Sequence, residues 1–299
     1  MRNNNFHIVS EGILNEILRK KLLLEALPEY HLNRKTKSHI LRKEANKHSV
    51  SLEVAGYENH STIGKKEKAK EFHRCEQDLE SAMQWGFQNY DGIVSLDFLE
   101  GIGKKIDPDA NFQGFRKDRV RVLGATWSPP APEKLPRELA YFCYSNSCLD
   151  NVIEKSLHAH FNIARIHPFM DGNGRTARLV QNIVLEEGGF PPTSIRSSER
   201  GEYGQLLDKA IDSYRMTELK MTPGQEMRYT TLLSEFSKNS PNSKKELYLC
   251  EQINEFERLK MTREQNELYN FLALKVRDAL QKITGKIYQN RNAVNSETN

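Results

Sequence analysis

Apolar residues recur at helical spacing along most of the chain. Ile13, Leu14, Ile17 and Leu18 fall on one face near the start, and Leu22 continues them, which predicts an amphipathic helix. A second helical stretch runs from about Ser38 to Val54. The segment Tyr57 to Lys70 carries Gly, Asn, Ser and four lysines and reads as a loop, after which helix resumes near Glu71 and continues to about Trp85. Ile153, Leu157 and Phe161, at i, i+4 and i+8, mark another helix. Leu179, Val180, Ile183 and Val184 mark the next, which should stop at Gly188-Gly189 ahead of Pro191-Pro192. Leu249, Ile253, Phe256 and Leu259 form one more stripe. Thr262 and Gln265 have the spacing of a capping box opening a last helix through Phe271, Leu272, Val276, Leu280 and Ile283. The polar tail from Asn290 reads as disordered.

One stretch departs from this period. Val120 and Val122 alternate with Arg119 and Arg121, and Val122-Leu123-Gly124 then turns into Ala125-Thr126-Trp127 before the prolines at 129, 130 and 132. Alternation, a glycine turn and proline punctuation predict a small β-hairpin. The expected fold is therefore mainly α, a helical bundle with one β-hairpin. No internal repeat is evident.

Between the two central helices lies His167-Pro168-Phe169-Met170-Asp171-Gly172-Asn173-Gly174. Gly172 and Gly174 allow a tight turn that exposes backbone N–H groups at a helix start, where unpaired donors and the positive dipole end favour an anion. Arg175 and Arg178 share one face of that helix, where the dipole disfavours cations, so a negative group such as a polyphosphate should compensate. Asp171 is a hard oxygen ligand suited to Mg²⁺ held jointly with phosphate. His167, with an ordinary pKa near neutrality, suits a general base. Together these residues point to nucleotidyl or phosphoryl transfer.

Composition narrows the partners. The chain has 299 residues, 37% hydrophobic and 28% charged, and 44 basic against 40 acidic side chains leave a net charge of +4. That excess is too small to imply a nucleic-acid or membrane partner. No apolar run approaches the ~20 residues of a membrane span, and the first ten residues have no apolar core of a secretion signal. Four cysteines without CxxC pairing fit a reduced, cytoplasmic protein.

The run from His167 to Arg178 resembles the Fic family signature HPFx(D/E)GN(G/K)RxxR at every fixed position, and the likeness extends over roughly Asp91 to Tyr214. It divides the chain into an N-terminal helical region (1–90), a catalytic core (91–215) and a C-terminal helical region (216–299). The resemblance implies a protein adenylyltransferase that moves AMP from ATP to a Ser, Thr or Tyr hydroxyl of a target protein. It makes His167 the base, Asp171 the Mg²⁺ ligand, and Gly172, Asn173 and Gly174 the cradle of the α- and β-phosphates. Arg175 would hold the β- or γ-phosphate, with Arg178 near the γ-phosphate. Val122, Leu123 and Gly124 would form the flap that borders the nucleotide and aligns the target as an added strand. Tyr203 resembles a family aromatic near the adenine. The Asn that often follows it is replaced by Ile211 or Asp212.

Many Fic proteins also resemble one another in an inhibitory helix, (S/T)xxxE(G/N), whose Glu pairs with the second signature arginine. Ser49-Val50-Ser51-Leu52-Glu53-Val54 matches this in part, with Val54 where the family has Gly or Asn. Glu53 and Ser49 are thus the expected brake, and Thr231/Glu235 is a C-terminal rival. Other activities on this scaffold stay open: removal of AMP, transfer of another phosphate-containing group, or a braked regulatory binding module. A phosphate-moving relative would resemble HxFxDANKR, which lacks both glycines. The C-terminal helices are candidates for docking a target, forming a homodimer or buttressing the core. His158 and His160 lie two apart on a helix, so they point to different faces and make a poor metal pair. They read as a surface and a packing histidine. Phe169, Trp85 and Trp127 read as packing residues.

Overall fold

A computed structural model describes residues 7–32, 34–57, 65–219 and 261–297, with scattered positions from 222 to 258. The helices are α1 (Glu11–Glu25), α2 (Pro28–Leu32), α3 (Arg34–Tyr57), α4 (Lys65–Asn89), α5 (Leu96–Ile106) and α6 (Leu135–Ser147). They continue with α7 (Val152–Ile166), α8 (Asn173–Glu187), α9 (Arg200–Leu219) and, after position 258, α10 (Arg263–Glu297). The residues Phe256, Leu259 and Glu235 of the expectations above lie outside the described residues.

Helix α7 organises the bundle because it is apolar on two faces. Ile153, Leu157 and Phe161 join one cluster with Leu14 and Ile17 of α1, Ile211 and Tyr214 of α9, and Leu272, Val276 and Leu280 of α10. Ala159, Ile163 and Ile166 join a second cluster with Leu79 of α4, Leu99 and Ile102 of α5, Phe142 of α6, and Val180 and Ile183 of α8. A helix buried nearly all round is the core of its domain. Residues from all three expected regions meet in the first cluster. Buried Glu154, at the start of α7, accepts hydrogen bonds from the backbone N–H groups of Ile8 (2.7 Å) and Val9 (3.2 Å), which fixes the N-terminal segment against it.

Several elements begin and end where their sequence signals lie. Thr262 and Gln265 cap α10 reciprocally, at 3.0 and 3.1 Å. Gly189 takes φ 78° past the end of α8, and Phe190 N–H reaches back to Leu185 O at 2.9 Å, the six-to-one bond of a glycine-terminated helix. Two boundaries and one buried face differ. Helix α4 starts at Lys65, because the Lys-Lys-Glu-Lys-Ala-Lys-Glu run is rich in good helix formers. Helix α10 runs on through the polar residues after Asn290 to Glu297. In α1 the buried stripe is Leu14, Ile17 and Leu24, and Leu18 and Leu22 sit on the exposed flank.

The expected β-hairpin is a correction. Residues 114–131 form two irregular arms around a turn at Leu123 and Gly124 (φ 82°), and no β-ladder forms among the described residues. The return arm has lost its donors at Pro129, Pro130 and Pro132, and Thr126 and Trp127 are drawn onto α9 instead of the outgoing arm. No helix among the described residues is long and apolar enough to cross a membrane.

Candidate active site

Helices α7 and α8 pack along their length as a helical hairpin, and the loop from His167 to Gly172 joins them. Pro168 disfavours helical backbone in the residue before it, so α7 must end at His167. His167 takes φ 53°, ψ 59°, the lone left-handed non-glycine among the described residues. Its N–H still reaches Ile163 O at 3.0 Å. Its side chain turns back so that Nδ1 lies 3.2 Å from Ala164 O. A carbonyl only accepts, so Nδ1 carries the ring proton and Nε2 presents a lone pair. Burial pushes the His167 pKa down to about 4, partly offset by Ala164 O and Glu53. At neutral pH it is a neutral imidazole with a free acceptor, as a base requires.

The other end of the loop is a helix N-terminus. Gly172 caps α8 with φ 73°, and the first intrahelical bond runs from Thr176 N–H to Gly172 O at 2.8 Å. The N–H groups of Asn173, Gly174 and Arg175 precede that bond and have no intrahelical acceptor. A side chain at Gly172 would strike Ile106, and one at Gly174 would lie 2.6 Å from Glu53 Oε1. The Asn173 side chain closes the loop by donating to Phe169 O (2.9 Å) and accepting from Phe169 N–H (2.8 Å). Phe169 itself is fully buried, stacked on Phe115 at 5.4 Å, as its anchor role predicts.

Both arginines are engaged. Arg178 donates through Nε to Ser49 Oγ (2.8 Å) and through Nη2 to Ser49 O (3.1 Å) and Glu53 Oε1 (2.9 Å). Burial alone would raise the Glu53 pKa, but Arg178 and Arg175 outweigh it and hold the carboxylate below its ordinary value. The negative group demanded by two cations at a helix start is therefore Glu53 of α3. Arg175 is buried, donates to Ile106 O (3.2 Å) and lies 3.7 Å from Asp107 and 3.9 Å from Asp171. Among the described residues its Nε is buried with no partner, a donor that a ligand oxygen could satisfy.

Asp171 has a half-exposed carboxylate whose Oδ1 accepts Gly172 N–H at 2.6 Å. Burial raises its pKa, and the negative Glu53 and Asp107 add to this. Such a carboxylate gains from a nearby cation. Among the described residues no group of three or more His, Cys, Asp or Glu could hold a metal. The donor set thus fits Mg²⁺ arriving with a polyphosphate, which needs one carboxylate, and does not fit a resident metal cage.

Two residues that hold the site are invisible in the signature. Arg116, 4% exposed, donates to His167 O (2.7 Å) and Ile166 O at the end of α7, and to Asp118 O (2.9 Å) and Pro130 O (2.6 Å) in the two arms on either side of Gly124. A cation on the last carbonyls of a helix is favoured by its dipole. Asn111, fully buried, donates to Asp171 O (3.0 Å) and Gly103 O (2.9 Å) and accepts Asp171 N–H (3.3 Å). Asn111→Ala leaves these backbone groups unpaired, so it is expected to destabilise the fold by about 1–3 kcal/mol. Urea unfolding checks this, and an unchanged midpoint would contradict it.

The remaining expected residues are dispersed. Val122 is half-buried against the first cluster, Leu123 is 66% exposed at the turn, and Gly124 has open space around it. The return arm is pinned on α9 by Thr126 to Asp212 (3.1 Å) and Trp127 to Asp208 (2.9 Å). That puts the Trp127 ring edge-on to His167 at 6.2 Å, so Trp127 roofs the base as well as packing. Tyr203, expected beside the adenine, turns into the core and hydrogen-bonds His160 Nε2 at 2.8 Å. His158, expected at the surface, is buried with Asn146, Asn162 and Ser145 around it, because α7 is covered on every side.

A sequence model of the Fic/DOC family matches residues 94–185. A protein adenylyltransferase Fic of Nematostella vectensis is 42% identical over 125 residues, 39% of this chain and 29% of that protein. A "Probable protein adenylyltransferase" of Aquifex aeolicus is 31% identical over 123 residues, 40% of this chain and 38% of that one. The chain thus spans under two-fifths of the length of these relatives. Among solved structures, a Fic-1 segment from C. elegans aligns with a TM-score of 0.56 at 17% identity, covering 93% of this chain and 72% of that one. A Fic domain containing signaling protein from Bacteroides thetaiotaomicron aligns with a TM-score of 0.52 at 20% identity, covering 87% and 96%. Those identities speak for the fold. The sequence match and the loop geometry together identify residues 94–185 as a Fic/DOC family domain.

Proposed function

We propose that the protein transfers AMP from ATP to a hydroxyl side chain of a target protein, and that Glu53 restrains it. The observation that carries this reading is the neutral His167, with its Nε2 lone pair free, at the mouth of a loop whose far end is an open helix N-terminus. His167 takes the proton of the incoming hydroxyl. The hydroxyl oxygen forms a bond to the α-phosphorus, the bond from that phosphorus to the bridging oxygen breaks, and pyrophosphate leaves. The amides of Asn173, Gly174 and Arg175 and the Arg175 guanidinium stabilise the phosphate charge. Mg²⁺, held by Asp171 and the phosphates, would neutralise further charge there. Relatives named protein adenylyltransferase support this choice of chemistry over phosphate transfer, as do Gly172 and Gly174, which stand where the phosphate-moving pattern has Ala and Lys.

The brake follows from competition for one cation. While Glu53 occupies Arg178, a γ-phosphate has no claim on it. A charge-assisted hydrogen bond contributes about 1.5–3 kcal/mol, so Glu53→Gly is expected to raise ATP affinity about tenfold to a hundredfold. The test incubates wild type and Glu53→Gly with cell lysate, Mg²⁺ and ATP labelled at the α- or the γ-phosphate. Protein label from α-ATP alone, stronger in the variant, is the expected result. Label from γ-ATP would mean phosphate transfer. Equal α-label in both proteins would remove the brake.

A further inference from the structure

Helix α3 carries a polar stripe where a packed helix usually carries an apolar one. Arg42, Asn46, Ser49 and Glu53 stand at i, i+4, i+7 and i+11, which puts them on one face. Each of them is used. Ser49 and Glu53 take the Arg178 guanidinium. Asn46 donates to Glu80 of α4 at 3.3 Å. Arg42 reaches the opposite end of α8. Its Nε donates to the two carboxylate oxygens of Glu186 at 2.9 and 2.8 Å, and its Nη2 lies 2.7 Å from Oε2. Its guanidinium also lies over the Phe87 ring, 4.2 Å from the centroid.

Two ion pairs of opposite sense therefore close the two ends of the contact between α3 and α8. A helix rises about 1.5 Å per residue, so cation and anion are about 16 Å apart along α3 and about 12 Å apart along α8. The helices run antiparallel here, which brings Arg42 to Glu186 and Glu53 to Arg178. Sliding α3 by one turn would part both pairs. A third tie, Glu44 to Lys282 of α10, joins side chains 32% and 36% exposed, where water and salt screen it. Glu186 is 7% exposed and is held by a two-pronged contact, so the Arg42 pair is the stronger tie. Glu186 also lies in the last turn of α8, where the helix dipole disfavours an anion and a cation offsets it. Arg42 is 31% exposed and borders an open cleft of about 630 Å³ between α3 and α4, so the pair can be reached without entering the nucleotide site.

We propose that the Arg42–Glu186 pair is the latch of the brake: it holds α3 in the register that places Glu53 on Arg178, and opening it frees Arg178 for the terminal phosphate. This rests on the reading of Glu53 as a competitor for Arg178. A contact made only in the seated position of α3 favours that position by its own worth, and its loss shifts the balance toward the withdrawn one. Arg42 stands about three helical turns from Glu53 and acts on the site through α3.

The test measures ATP dissociation constants by calorimetry with Mg²⁺ for Arg42→Gln, in the wild-type and in the Glu53→Gly backgrounds. In the wild-type background Arg42→Gln is expected to tighten ATP about three- to tenfold, less than Glu53→Gly does. In the Glu53→Gly background it should change ATP affinity by less than twofold, because there is no brake left to release. The reversed pair, Arg42→Glu with Glu186→Arg, keeps the charges complementary and should bring ATP affinity back toward the wild-type value. No tightening by Arg42→Gln, an equal change in both backgrounds, or a reversed pair that binds ATP as tightly as Arg42→Gln overturns the proposal. Failure of Glu53→Gly itself to tighten ATP would instead overturn the brake reading beneath it.

Discussion

In the Glu53→Gly background, His167→Ala is expected to lower AMP transfer by about 10²–10⁴-fold while ATP affinity changes little. The asymmetry follows from where the residue sits. His167 ends α7, its Nδ1 is tied to Ala164 O, and the amides of the anion site belong to α8, on the far side of the loop. Removing the imidazole takes away the proton acceptor and leaves the phosphate donors. One complication is the backbone, since His167 holds a left-handed conformation that disfavours alanine by about 1–2 kcal/mol. His167→Asn separates the effects, because asparagine tolerates that conformation and is no base. Transfer rates and ATP titrations on both variants decide the matter. A loss of ATP binding as large as the loss of rate would mean that His167 holds the nucleotide instead.

The second large effect is on stability, through acid. Burial holds His158 and His160 at about 3 and His167 at about 4, against an ordinary value of 6.5. His158 hydrogen-bonds with Asn146, Asn162 and Ser145, none of them a carboxylate that would favour its charged form. Below pH 6.5 the unfolded chain binds protons that the folded chain refuses. Stability therefore rises with pH across the window from about 4 to 6.5 and is lost on acidification. Each such histidine costs about 1.4 kcal/mol per pH unit once the unfolded form is fully protonated, so three cost about 4 kcal/mol per unit. Glu154 and Asp171, whose carboxyls burial raises, act with the opposite sign and soften the slope near its lower end. Against an ordinary total of about 5–15 kcal/mol, the fold should melt at much lower temperature at pH 5 than at pH 7.5. Thermal unfolding followed by circular dichroism checks this. A melting temperature constant over that range would contradict the neutral state of these side chains.

What could be read from the sequence was what is contiguous in it. The loop from His167 to Arg178 carries its chemistry in twelve adjacent positions, and the structure gathers its donors at one helix start. Glu53 was legible in part, because its helix and its spacing from Ser49 are local. Its meeting with Arg178 depends on how α3 lies over α8. The roles of Arg116 and Asn111 could not be read. Each acts by reaching backbone carbonyls far along the chain, and a backbone carbonyl has no signature in sequence. Alternation around Val120 and Val122 suggested strands, but a ladder needs a partner with free donors, and the prolines opposite had none. Tyr203 was readable as an aromatic in a meaningful place, while its inward direction depended on His160, a neighbour 43 positions away.

Modularity stops short of the segment that the family match marks out. Phe161 lies inside residues 94–185, yet its ring is wedged between Tyr214 of α9 (5.9 Å) and Tyr269 of α10 (5.7 Å), both beyond that segment. Ile8 and Val9 cling to Glu154 from the opposite end of the chain. A cassette cut at those limits and grafted elsewhere would bring its central helix with one flank stripped bare. The segment that the family match marks is smaller than the cluster that buries its central helix, and transplanting the chemistry means transplanting the helices that clothe it.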